Sequence, residues 1–354
     1  MSLQKLGWSS FFDALLTNPS LVPARVIAHV GDRYLVHDGS REMPATVRGR
    51  LREQSSFPPV AGDWVGLNLM GTVQRAESPV IEEILERRTA IVRKRAGRTF
   101  GAQVLAANID RALLVMALDQ DFSLRRLERY LTLVRESGAT PVIVLSKSDL
   151  AQDRAQLVRE AEERALGFPV ICVSCVSGEG LDELRSELRS GETIVLLGSS
   201  GVGKSTLINF LGESPLRPTG AVRASDGKGR HTTTDRHLLC LPSGVLVIDS
   251  PGLREVQLWA DQGSLDQTFS EISSLAAGCR FRDCRHRGEP GCAVAAAIDG
   301  GEIDSERLQS FFHLQDELKR TQRQSDPRLA GAYKREVKKL HRAQKLHQKM
   351  SKKH

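Results

Sequence analysis

The chain has 354 residues, a net charge of +7, 40% hydrophobic residues and 26% charged ones. That length suits two or three domains, each with its own core. No apolar run approaches the roughly 18 residues that a membrane-spanning helix needs, which excludes a helical membrane protein.

The charge is concentrated. From Gly331 to His354 there are nine Lys or Arg, from Lys334 to Lys353, against Glu336 alone, so this segment carries +8 and the remaining chain about −1. A basic tail on a nearly neutral body predicts a polyanionic partner, and RNA is the abundant cytoplasmic one.

Met1–Leu16 reads as a short amphipathic helix with Ser10 near its N-cap, because Lys5 and Asp13 interrupt the apolar stretch; a signal peptide is not expected and a cytoplasmic location is. Between Val22 and Arg88 the pattern is short strands separated by turn signals. Arg25–Val30 and Arg33–Val36 flank Gly31-Asp32, and Ala45–Leu51, Asp63–Leu69 and Ile81–Leu85 come after them. Five strands over about 65 residues predict a small barrel, OB-like or SH3-like. Arg87, Arg88, Arg93, Lys94, Arg95 and Arg98 form an expected basic patch at its exit.

From Asp110 the pattern alternates. Strands are predicted at Ala112–Ala117, Pro141–Leu145, Val170–Val173, Thr193–Leu197 and Val245–Ile248. Helices are predicted at Ser123–Ser137, Ala151–Leu166, Leu181–Leu188 and Ser205–Leu211. Such alternation implies a mostly parallel α/β sheet. Beyond Gln262 the chain turns helical around a Cys/His cluster. The expected division is an extension (1–21), a barrel (22–88), an α/β domain (89–262), a helical metal-binding domain (263–330) and the basic tail (331–354).

Gly198, Ser199, Ser200, Gly201, Val202, Gly203, Lys204 and Ser205 match the phosphate-loop pattern between a strand and a helix that opens at Thr206. Backbone N–H groups would cradle phosphate, Lys204 would bridge the β- and γ-phosphates, and Ser205 would ligate Mg²⁺. Asp249-Ser-Pro-Gly252 ends a strand, placing a carboxylate near Mg²⁺ and the Gly252 amide near the γ-phosphate. Between them, Gly229, Arg230, His231, Thr232, Thr233 and Thr234 read as a switch loop in which Thr233 or Thr234 completes the Mg²⁺ shell. Leu253 stands where many GTPases carry a water-orienting glutamine, leaving His231 as the nearest substitute. Intrinsic turnover is then expected at about 10⁻⁴–10⁻² per second, raised about 10³–10⁵-fold by a partner that orders the site.

Ser146, Lys147, Ser148 and Asp149 resemble the N/T-K-x-D motif, whose carboxylate accepts from guanine N1 and N2 and so rejects adenine. Ser174, Cys175 and Val176 fit the companion loop toward guanine O6, and Cys172 and Cys175 read as structural. Both base-reading segments precede the phosphate loop, the reverse of the usual order. Ligand contacts sit at strand C-terminal ends whatever the connectivity, so a circularly permuted chain builds the same site.

Cys279, Cys284, His286 and Cys292 supply the shell of a closed structural Zn²⁺ site, interleaved with Arg280, Arg282, Arg285 and Arg287.

Barrel, permuted GTPase, C-x4-C-x-H-x5-C module and basic C-terminal helix together resemble the ribosome small-subunit-dependent GTPase A family over nearly the whole chain, from about Val22. The resemblance implies an OB-fold N-terminal domain, GTP and GDP with Mg²⁺ as ligands, a structural zinc, and a monomer without membrane contact. It also implies binding to the 30S subunit and its 16S rRNA late in maturation, with subunit-stimulated turnover. His231 maps onto the histidine proposed to position water, and Lys204 and Asp249 complete the catalytic set. Ser146 departs from the usual asparagine, so the amide that ties the base loop to the phosphate loop is missing and weaker guanine affinity is expected. Two other readings remain: an RNA-handling ATPase, and an rRNA-tethering factor that uses nucleotide only as a structural ligand.

Overall fold

The computed structural model describes residues 1–30, 33–55, 57–69, 78–94, 102–213, 237–249 and 262–324, with scattered positions between 331 and 350. The first segment begins with a 3₁₀ turn (Gln4–Leu6) and one helical turn, α1 (Ser10–Asp13), separated by Gly7 at φ 85°. The single amphipathic helix expected here is therefore broken, while Ser10 does lie at the N-terminal end of α1, next to the N-cap Ser9. So short a helix is held by packing rather than propensity. Phe11 and Phe12 are buried, and Trp8 meets Trp64 edge-on at 4.7 Å.

Strands β1 (Val22–Val30), β2 (Arg33–His37), β3 (Glu42–Val47), β4 (Trp64–Asn68) and β5 (Val80–Ile84) pair in the order β1-β2-β3-β5-β4. The β4 strand returns to β1, so the ring closes and its edges disappear. The β3 and β5 strands are parallel while the other pairs in the ring are antiparallel, a crossover that fits the OB-like alternative. Alternating Ala24, Val26, Val36, Ala45, Val65, Leu67 and Ile81 fill the interior. The strand expected over Ala45–Leu51 stops at Val47, because Gly49 opens α2 (Gly49–Gln54), whose Arg, Leu, Glu and Gln favour helix.

Next comes a hairpin, β6 (Ala90–Lys94) with β7 (Ala102–Ala107), where only a basic patch was expected. Two members of that patch are not free cations. Arg87 is buried and bonds both Asp63 carboxylate oxygens at 2.8 Å, and Arg88 pairs with Asp110.

The α/β unit runs β8 (Arg111–Ala117), α3 (Leu124–Ser137), β9 (Thr140–Ser146), α4 (Arg154–Arg164), β10 (Val170–Cys172), α5 (Leu181–Ser186), β11 (Thr193–Leu197), α6 (Lys204–Leu211), β12 (His237–Cys240) and β13 (Leu246–Asp249). The order is β10-β9-β8-β11-β13-β12, parallel except for β12. Being covered on both faces, the inner strands read as continuous apolar runs. The β12 strand also pairs with β1 at Ala28 and His237, so barrel and α/β unit share one eleven-stranded sheet.

Beyond it lie α7 (Gln262–Thr268), α8 (Ser270–Ala276), α9 (Ala293–Asp299) and α10 (Ser305–Gln324). Leu265, Phe269, Ile272, Phe311, Leu314 and Leu318 join the core beneath α3. Beside them lies a buried polar cluster. Glu128 receives Arg307 at 2.6 Å and the Ser310 hydroxyl, while Arg307 also reaches Glu271 and the Thr268 carbonyl. The basic tail is not simply detached: among its described residues, Leu340 packs with Phe57, Val60 and the β6–β7 hairpin, and Ala343 is buried. No described helix is long and apolar enough to cross a membrane.

Candidate nucleotide site and metal cluster

The phosphate loop leaves the end of β11 at Gly198, whose φ is 155°. A Cβ there would lie 2.3 Å from the Val115 carbonyl oxygen, so only glycine lets the chain turn over β8. Gly203, at φ 95°, is the N-cap of α6, which Leu207, Ile208 and Leu211 anchor in the core. The Lys204 ammonium folds into the loop, donating to the Gly198 carbonyl at 2.7 Å and to the Ser199 carbonyl. Ser205 and Thr206 stand on the first turn of α6, and Ser200 and Gly201 lie in the loop itself.

The second loop begins where β9 ends. Ser146 is buried, and its hydroxyl donates to the Val202 carbonyl at 2.6 Å, with the Met116 carbonyl at 3.2 Å. The tie that the missing asparagine amide would have made is thus made by serine. Lys147 then adopts φ 55°, and Ser148–Leu150 form a 3₁₀ turn. Asp149 is oriented by the Ser174 hydroxyl, which donates to its Oδ1 at 2.5 Å and accepts from the Val176 and Ser177 amides, both at 3.2 Å. Ser174 is fully buried while Val176 is 86% exposed. Burial, then the neighbouring Asp149 charge, pushes the Cys175 thiol up and keeps it neutral beside the carboxylate.

A third loop, which sequence reasoning did not assign, joins the first two. Lys147 Nζ lies 2.8 Å from Asp119, and Asp119 accepts from the Asp121 amide at 2.9 Å. Asp121 in turn accepts from the Ser199 hydroxyl at 2.7 Å and from Arg126 at 2.6 Å, and Arg126 reaches the same Ser199 hydroxyl oxygen at 2.7 Å. Asp119 is held below the usual carboxylate range chiefly by the Lys147 bond, and Asp121 chiefly by the Ser199 bond. The available signal was Asp119-Gln120-Asp121 itself: two carboxylates just past the C-terminal end of a central strand, where ligands of α/β sheets bind.

Asp249 ends β13, the parallel neighbour of β11, with Ile248 in register with Val195. The carboxylate is therefore delivered to the same sheet edge as the phosphate loop. His231, Thr232, Thr233, Thr234, Gly252 and Leu253 lie outside the described residues.

The second cluster is separate. One ligand atom from each of Cys279, Cys284, His286 and Cys292 lies within 4.8 Å of every other. Cys279 and Cys292 sulfurs are 4.0 Å apart, and His286 Nδ1 is 3.6 and 3.5 Å from them. A tetrahedral zinc with metal–sulfur bonds of about 2.3 Å has edges of about 3.5–3.8 Å, so the donor set and spacing fit that ion. Glu289 braces the loop by accepting from the Arg285 and Arg287 amides at 3.1 and 2.7 Å.

Comparison with known proteins agrees with this arrangement. A family model described as RsgA GTPase matches residues 84–259. The small ribosomal subunit biogenesis GTPase RsgA of Opitutus terrae is 42% identical, over 99% of this chain and 99% of its own. The protein of the same name from Syntrophotalea carbinolica is 43% identical, over 97% and 96%. Among solved structures, YjeQ from Thermotoga maritima superposes with a TM-score of 0.62 at 28% identity, covering 84% of this chain and 98% of its own. YloQ, described as a circularly permuted GTPase, gives 0.60 at 26% identity, covering 86% and 97%. A chain with this motif order that aligns end to end with such relatives belongs to the RsgA family of circularly permuted GTPases.

Proposed function

We propose that this GTP hydrolase acts in the biogenesis of the small ribosomal subunit, as a cytoplasmic monomer that binds the subunit's 16S rRNA and hydrolyses GTP to GDP and phosphate faster when bound. The observation that supports the nucleotide part of this reading is the Ser146–Val202 hydrogen bond, which joins a loop bearing a guanine-type carboxylate to a phosphate loop, as a single nucleotide spanning both requires. The subunit part is supported by the likeness to relatives named small ribosomal subunit biogenesis GTPase. The Ser174 bond presents Asp149 with one oxygen occupied and the other able to accept from guanine. The Lys147 stem lies along the base, and Ser148, Ser174 and Cys175 complete its surround. The amides of Gly198–Gly203 and Lys204 bind phosphate, with Lys204 exchanging its carbonyl partners for phosphate oxygens.

Mg²⁺ bound with GTP would supply neutralisation of the phosphate charge. Ser205, Asp249 and Thr233 or Thr234 would hold it, Gly252 would face the γ-phosphate, and His231 would orient water. Cys279, Cys284, His286 and Cys292 would hold one structural zinc. The barrel, the zinc module and the Lys334–Lys353 tail would contact rRNA.

The test is GTP turnover with and without purified small ribosomal subunits, beside titrations of labelled GDP and ADP. Stimulated turnover and strong preference for GDP are expected. Comparable GDP and ADP affinities would remove the role given to Asp149, and unstimulated turnover would remove the subunit.

A further inference from the structure

We infer that the groove between the metal-binding loop and α10 receives a single unstacked nucleotide of the RNA; this rests on the subunit-binding role proposed above and gives it a site. A cavity of about 540 Å³ lies there, lined by Cys284, Arg285, His286 and Arg287 from the metal-binding loop and by Phe311, Phe312, Gln315 and Lys319 from α10, so that it adjoins two of the candidate metal ligands. A volume in the range of small-molecule pockets admits one nucleotide and excludes a duplex.

The chemistry of the lining selects the occupant. Arg287 lies over the Phe312 ring at 4.8 Å, which holds a flat guanidinium against an aromatic face. That pair is a stacking platform for a base, because both members have π-faces. Arg285, Arg287 and Lys319 set three cations around it for the phosphate, and Gln315, whose carbonyl oxygen accepts from Lys319 at 2.7 Å, keeps its amide N–H groups for a base edge. Asp316, 3.8 Å from Arg287, is the counter-charge that orients the guanidinium. A second pair on the same loop, Arg280 over Phe281 at 5.5 Å with Phe281 44% exposed, repeats the motif. Repeated arginine-on-phenylalanine stacks, with no carboxylate among the described residues lining the cavity, suit single-stranded RNA better than an acidic peptide, which would use the cations and leave the rings idle.

The experiment uses the full-length, zinc-loaded protein. A short fluorescein-labelled oligouridylate, a duplex of the same length and oligoglutamate are titrated against the parent and against Phe312→Leu, Phe312→Trp and Arg287→Gln/Lys319→Gln variants. The single strand should bind more tightly than the duplex. Phe312→Leu keeps the apolar bulk but should weaken single-strand binding about 5- to 100-fold with the salt dependence unchanged. Phe312→Trp should restore it, and the new indole emission should be quenched on binding. The double variant should flatten the salt slope by about 0.7 per lost phosphate contact. Unquenched tryptophan at saturating oligouridylate, or oligoglutamate competing as well as RNA, would overturn the inference. Should Phe312→Leu fail to fold by circular dichroism, the quenching and the salt slope still decide. Loss of subunit-stimulated turnover in the parent would instead strike the proposed function, so the two failures are distinguishable.

Discussion

Replacing Ser146 with alanine isolates the joint between the base-reading and phosphate loops. The hydroxyl is the donor that reaches the Val202 carbonyl at 2.6 Å, and Val202 is only 2% exposed, so water cannot take its place without opening the loop. A buried acceptor left without its donor costs about 1–3 kcal/mol. Loop relaxation in the empty protein recovers part of this, while a nucleotide that needs both loops in register forces the cost to be met in full. We therefore expect GDP affinity to fall by about 1–2 kcal/mol, roughly 5- to 30-fold. Selectivity over ADP should not change, because Asp149 is held separately by Ser174. Ser146→Thr, which keeps the hydroxyl, should recover most of the loss. Titration of labelled GDP and ADP, with urea unfolding of the empty protein in parallel, reads all three quantities. If alanine lowers global stability but leaves GDP affinity intact, the hydroxyl is merely a core hydrogen bond and the joint does not exist.

Three further outcomes are expected. Glu128→Ala leaves Arg307 buried without its main partner, which should cost about 3–5 kcal/mol of stability measured by urea unfolding, far more than loss of the exposed Arg185–Asp182 pair. The Asp121 carboxyl sits below its ordinary value because Ser199 and Arg126 bind its charged form. Its contribution is therefore complete above the ordinary carboxylate range and lost as pH falls through the lowered value, so GDP binding should be flat near neutrality and weaken in acid, with Asp121→Asn already weakened and less acid-sensitive. Stripping zinc with a chelator should leave the β-sheet circular dichroism intact while opening the 279–292 loop to protease; equal cleavage with and without metal would refute a structural zinc there.

Much of the site was legible because its chemistry depends on short, local patterns. The phosphate loop could be located from its glycines, and Gly198 shows why: a side chain there would strike Val115. The Cys/His cluster was legible for the same reason, since three thiols and an imidazole over so short a span have few other uses. Long-range partnerships were less readable. The β6–β7 hairpin was hidden because Arg93 and Lys94 made the segment look like a solvated patch, whereas one cation next to it, Arg87, is buried against Asp63. The N-terminal helix was overextended because the chain breaks at Gly7, and Trp8 from the break and Phe12 from α1 meet Trp64 without one regular helix. The Ser146–Val202 bond was not readable for a related reason. Sequence shows the amide that is gone, but only folding shows that the carbonyl comes close enough for a hydroxyl to reach it.

The topology also explains why a shuffled order still makes a working site. In the sheet, β8 lies between β9, which carries the base loop, and β11, which carries the phosphate loop. The loop leaving β8 is therefore flanked by both, and it carries Asp119 toward Lys147 and Asp121 toward Ser199. Chain order does not enter into this; strand neighbours do. The β8 loop runs directly into α3, whose Arg126 touches the phosphate loop while Glu128 and Arg129 bind Arg307 and Glu317 of α10. One helix thus has its first turns on the nucleotide site and its flank on α10, downstream of the Cys/His cluster, joined there by the buried Glu128–Arg307 pair, which breaks only at a cost of about 3–5 kcal/mol.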